Sequence, residues 1–182
     1  MPDILLFYFL TFSRMAIGLV FAASSIGKLR NFPAFERAVE DFHILPRQLV
    51  RLCARLFLAG EIAVVALMLF GAEFLAIGFL LASVLLSLFS MALLSVLFRR
   101  IHTSCACFGS SHRPVSPADV WRNVGFLACA LVGGGSLSAW SDTPMILSLS
   151  EIGLLGMMAV VFVALSVYLG ELIELFRISR MG

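Results

Sequence analysis

From Phe74 to Phe98 the chain carries no charged side chain, and a stretch of that length crosses a hydrocarbon layer roughly 30 Å thick as one helix. A helix is also what lipid demands, because it satisfies its own backbone N–H and C=O groups within a single segment. Four further stretches are comparable: about 4–27, interrupted by Arg14; about 50–70, with Glu61 inside; about 124–140; and about 152–170. The fold class expected is therefore an all-α integral membrane protein, a bundle of about five transmembrane helices in a single polytopic membrane domain over 1–182. Composition agrees, with 61% hydrophobic and 13% charged residues, against about 45–50% and about 25% in soluble domains.

The basic residues orient the bundle. Lys28, Arg30, Arg37, Arg47, Arg51 and Arg55 flank the first connection, Arg99, Arg100, Arg113 and Arg122 the third, and Arg177 and Arg180 close the chain. The second and fourth connections, about 71–73 and 141–150, have none. The positive-inside rule then puts the N-terminus outside and the C-terminus in the cytoplasm. A cleaved signal peptide would want a basic leader and a shorter apolar core than the run that Pro2-Asp3 precedes, despite the small residues at Phe21-Ala22-Ala23-Ser24. A net charge of +2 without basic clusters gives no case for nucleic acid.

Between the first two spans, Phe32, Phe35, Val39, Phe42 and Leu45 alternate with Glu36, Arg37, Glu40 and Asp41 at nearly helical spacing. This predicts a short amphipathic helix on the membrane surface, begun by Pro33 and ended before Pro46. The alternative is a loop whose apolar residues pack on the bundle.

Two charges lie inside the membrane. Arg14 and Glu61 each sit about ten residues from the outer end of their spans, roughly 15 Å deep. A charge there costs at least ~2.5–3.5 kcal/mol on insertion scales, so the expectation is an intramembrane Arg14–Glu61 ion pair. Such a pair either fixes helix register or forms a substrate or proton site.

The third connection holds Cys105-Ala106-Cys107-Phe108-Gly109, flanked by arginines and by His102 and His112. Two thiols one residue apart form a strained, readily reduced disulfide, and neighbouring Arg and His favour the thiolate. Cys105 and Cys107 are thus a candidate redox pair. The set His102, Cys105, Cys107, His112 is an alternative ligand set for Cu(I) or Zn(II), and an unreactive reduced pair is the plainest reading. Cys53 and Cys129 read as core residues in the cytoplasmic half, and all three histidines (His43, His102, His112) lie at that side. Gly133-Gly134-Gly135 reads as close helix packing or local unwinding. No nucleotide-binding glycine pattern or hydrolase triad is present, and no cofactor is expected.

The run from Arg14 to Leu29 resembles the first helix of the DoxX-like membrane proteins, and Gly60-Glu61-Ile62 resembles their second-helix glutamate motif. With Cys105-Ala106-Cys107-Phe108-Gly109 the chain resembles, within that group, the MauE family, over most of its length up to Ser110. Ala106 stands where a glycine is usual between the thiols. The resemblance implies a four-helix DoxX-like core plus one further helix, in a bacterial inner membrane. It also implies a role in processing, export or maturation of the methylamine dehydrogenase β-subunit, which is disulfide-rich and carries tryptophan tryptophylquinone, with thioredoxin-like MauD as partner. No independent catalytic activity follows from it. The competing readings are a small transporter or metal-handling protein using Arg14, Glu61 and the His/Cys loop, and a membrane anchor that recruits a partner. The chain lacks the paired interrupted helices of most transporters.

Overall fold

A computed structural model describes residues 2–42, 46–70, 72–99, 116–139 and 148–179, with the backbone alone at 2, 3, 47, 72 and 168–179. Helix α1 spans Pro2–Arg30, α2 Phe32–Asp41, α3 Arg47–Leu69, α4 Leu75–Phe98, α5 Pro117–Ala139 and α6 Leu149–Ser179, with a 3₁₀ turn Ala72–Phe74 before α4. Five of these, all but α2, are long and apolar enough to cross a membrane. The chain is an all-α, multi-pass membrane protein. Among the described residues there is no strand.

Helix α1 packs against α3 and α5, and α4 against the same two, so α1, α3, α4 and α5 close a four-helix ring; α6 lies outside it, chiefly against α1. Lipid is as apolar as leucine, so these contacts depend on close van der Waals fit rather than on the hydrophobic effect. Small residues accordingly stand where helices meet: Ala16, Ala82, Ala130 and Ala159 are wholly buried. The tightest approach is at Gly133 in α5. A Cβ there would stand 2.5 Å from Phe79 Cε1 and 2.8 Å from Ser13 Cβ. The helix runs unbroken through Gly133–Gly135, so close packing rather than unwinding accounts for the glycines. Helix α6 adds Phe162, whose ring meets Phe12 of α1 and Phe126 of α5 edge-on at 5.7 and 5.8 Å.

The helix ends explain where the observed boundaries depart from those expected. Helix α5 begins at Pro117 rather than near Val124, because its polar first turns are satisfied within the fold. Asp119 accepts from the backbone N–H and hydroxyl of Ser116 at 2.9 and 3.0 Å, the half of a capping box in which the third helical residue reaches back to the free N–H before the helix. Helix α6 starts with the full box, in which Glu151 N–H also donates to the Ser148 hydroxyl at 3.4 Å. Ser148 N–H and hydroxyl donate to Glu151 Oε2 at 2.8 and 2.7 Å, while Glu151 Oε1 receives the Tyr8 hydroxyl and ties α6 to α1.

Helix α2 is helical as its spacing requires, with Asn31 capping it by accepting from Ala34 N–H at 3.3 Å and Pro33 in its first turn. Its apolar face covers protein rather than lipid. Phe35 and Ala38 are buried, as is Phe42 just beyond the helix, against α3 and the end of α1. This combines the helix of one expectation with the packing of the other. The face is used up because it shields a buried charge, described below. An exposed Arg51–Glu36 bridge at 2.9 Å adds a tie to α3, worth little at that exposure.

Gly133→Ala is expected to destabilise the bundle by about 1–3 kcal/mol, since α1 and α4 must both yield. Gly135→Ala, with nothing within 4 Å of its added Cβ, is expected to be neutral or to gain up to about 1 kcal/mol from helix propensity. Unfolding of both variants in detergent micelles checks the contrast.

Candidate functional site: a buried charge cluster

Glu61 stands on the inner face of α3 and is 3% exposed. Its partner is Lys28, 2% exposed, near the end of α1: Lys28 Nζ donates to Glu61 Oε1. Ser24, one turn before Lys28, donates to the same oxygen at 3.0 Å and accepts from Lys28 Nζ at 2.9 Å. The rings of Phe35 and Phe57 lie 4.8 and 4.9 Å from the ammonium, a cation–π setting that strengthens as water is excluded. Phe35 comes from α2, which explains why that helix turns its apolar face inward.

The expected Arg14–Glu61 pair is not formed. Arg14 Nε donates to Met68 O at 2.7 Å and its Nη2 to Leu69 O at 3.2 Å, so its charge serves the orphan carbonyls and the negative end of the α3 dipole. The physical reason is the lean of helical side chains toward their own N-terminus. Helices α1 and α3 run antiparallel, with Arg14 beside Met68 and Ser24 beside Glu61. Arg14 and Glu61 therefore lean apart, while Lys28 and Glu61 lean together. Depth counted from the span ends carries no information about this.

Beside the pair stands a second group of buried polar residues, on α5. Asp119 and Arg122 are bridged at 3.3 Å, their side chains 3% and 8% exposed. Asn123 Nδ2 donates to Leu86 O at 2.9 Å and to Ser90 Oγ at 2.7 Å, joining α5 to α4. A cavity of about 40 Å³ lies between the two groups, lined by Ser24, Lys28, Glu61, Arg122 and Asn123 and by apolar residues that include Phe21 and Phe126.

Of the residues singled out from the sequence, the structure brings Glu61 into this cluster and leaves Arg14 outside it. Cys105, Cys107, His102 and His112 lie outside the described residues, as does His43. Cys129 hydrogen-bonds Ser13 at 3.6 Å. With α5 starting at Pro117, Cys129 lies more than three turns into the helix rather than the two expected, near its middle. In the sequence Lys28 stands out only as a charge flanking the first connection, and Asp119, Arg122 and Asn123 fall outside the expected fourth span. A legible signal was the Ser24–Lys28 spacing of i,i+4, which sets both on one helix face.

The family model for methylamine utilisation protein MauE matches residues 6–136. The chain belongs to this family. The match takes in α1 to α5 nearly whole, hence Lys28 and Glu61, and it spans the connection that holds Cys105 and Cys107; α6 follows it. Membership in the MauE family implies involvement in methylamine utilisation. No curated protein and no solved structure matches the chain.

Removing one member of a buried ion pair strands the other, at about 3–5 kcal/mol. Lys28→Met is expected to lose that much stability, and Lys28→Met/Glu61→Leu to recover most of it, as an apolar pair can fill the same space. A double-mutant cycle between Lys28 and Glu61 should return a large coupling and one between Arg14 and Glu61 a coupling within about 0.5 kcal/mol of zero. Equal couplings in the two cycles would contradict the pairing described here.

Proposed function

We propose that the protein supports maturation of the methylamine dehydrogenase β-subunit by thiol–disulfide exchange through Cys105 and Cys107. The observation that carries this reading is the family match, which spans the Cys-x-Cys segment. In the oxidising direction a client thiolate attacks a sulfur of the Cys105–Cys107 disulfide, breaking it and forming a mixed disulfide. A second client thiolate resolves that bond, leaving the client oxidised and Cys105 and Cys107 as a dithiol that holds the two electrons. A thioredoxin-like partner in its disulfide form, MauD in the family reading, accepts those electrons and restores the pair. The small ring of a Cys-x-Cys disulfide favours donation of oxidising equivalents, because its strain is relieved on opening.

The setting for this chemistry is a bacterial inner membrane, with the N-terminus outside and the C-terminus and the cysteine loop toward the cytoplasm. The distribution of Lys and Arg supports that orientation.

Replacing Cys105 and Cys107 together by Ser is expected to abolish accumulation of disulfide-bonded β-subunit while leaving membrane levels of the protein unchanged; normal maturation in that variant would reduce the protein to an anchor. A membrane-impermeant thiol reagent is expected to label the pair only after permeabilisation of the cells. With the loop on the cytoplasmic side, exchange with the β-subunit precedes its export; labelling in intact cells would reverse the orientation.

A further inference from the structure

The Lys28–Glu61 pair leaves one atom without a partner among the described residues. Glu61 Oε1 accepts from both Lys28 and Ser24, whereas Oε2 has no hydrogen-bond partner among the described residues. A buried acceptor stripped of hydrogen bonds costs about 1–3 kcal/mol, and more when it is charged, so a donor is required beside it. The same carboxylate lines the 40 Å³ cavity. Size restricts the donor: a water takes roughly 10–15 Å³, which admits about three and excludes a ring-sized organic ligand. Charge restricts it further. Among the described residues Lys28 balances Glu61 and Arg122 balances Asp119, α4 lines the space with Leu85, Leu86 and Phe89, and α3 adds Phe57. A site so balanced favours a neutral donor over an ion. Ser24, Asn123 and Arg122 on the walls offer the two to four polar partners that distinguish a wet cavity from a dry apolar one.

We propose that this cavity is a hydrated site, in which a small cluster of waters donates to Glu61 Oε2 and gives the buried carboxylate and ammonium a route for proton exchange with bulk water. The site is independent of the thiols. It makes the ion pair a protonically accessible element inside the membrane as well as a structural tie.

Radiolytic hydroxyl-radical footprinting of the unmodified protein in lipid nanodiscs tests the hydration, because it oxidises rings that touch water. Phe21 and Phe126 line the cavity and are 4% and 2% exposed, while Phe79, 2% exposed, does not line it. Phe21 and Phe126 are expected to be oxidised several-fold faster than Phe79; equally slow oxidation of all three means a dry cavity and overturns the proposal. In Glu61→Leu their rates should fall to that of Phe79, and rates that stay high would deny the carboxylate its role. Should Phe79 itself rise in that variant, the bundle has opened, and Glu61→Gln decides instead: it retains an acceptor oxygen and is expected to keep the contrast, whose loss would count against the proposal. Proton exchange has its own readout, the ammonium N–H bending band that Lys28→Met removes. That band is expected to shift on transfer to D2O within the mixing time, and a band that stays fixed overturns the exchange route.

Discussion

A charged side chain in hydrocarbon costs several kcal/mol unless it finds its opposite within the protein, and the bundle is organised around the place where that requirement is strictest. Lys28 and Glu61 are both almost wholly buried, so α1 and α3 have one relative register in which neither is stranded. Ser24 accepts from Lys28 and donates to Glu61 Oε1. Phe57 of α3 and Phe35 of α2 cover the ammonium. The short helix α2 thereby takes its place from the ion pair beneath it, and its apolar face shields a charge rather than reaching for lipid.

The remaining polar residues in the spans follow the same economy of hydrogen bonds. Arg14 serves the last carbonyls of α3, Ser116 with Asp119 and Ser148 with Glu151 begin α5 and α6, and Asn123 links α5 to the backbone of α4. Each pairing lets a polar residue enter a span without exposing an unsatisfied group to lipid, which is the condition for a helix to extend there. Close packing at Gly133 completes the ring between α1, α4 and α5.

The buried charges and the connection that holds Cys105 and Cys107 belong to the same end of the ring. Helix α4 ends at Phe98 and α5 begins at Pro117, and Arg122 and Asn123, which line the cavity, lie within the first two turns of α5. A MauE-family member thus combines a polar, charge-balanced interior with a thiol-bearing connection leaving from the ends of two of its walls. Redox exchange of a dithiol moves protons with electrons, so a protonically accessible group in the adjoining membrane is chemically compatible with the role proposed for the thiols.

Much of the fold was legible in the chain. Uncharged runs long enough to span lipid identify five helices, since hydropathy and length are local properties and lipid permits little else. The apolar spacing of Phe32, Phe35, Val39 and Phe42 identified α2, and the Cys-x-Cys segment with the first-helix pattern identified the family. The start of α5 was not legible, because Asp119, Arg122 and Asn123 read as too polar until their partners on α4 and in the cap were known. Nor was the partner of Glu61. Counting from span ends puts Arg14 level with Glu61, whereas the packed helices set it beside Met68, about two turns further along α3; pairing depends on helix register, on which residues face inward and on the lean of each side chain toward its own N-terminus. By itself the sequence determined that this chain crosses a membrane, how many of its segments do so, and which family it belongs to. Only the tertiary structure decided that Lys28 rather than Arg14 neutralises Glu61, because that choice depends on the antiparallel contact of two helices and appears in neither helix alone.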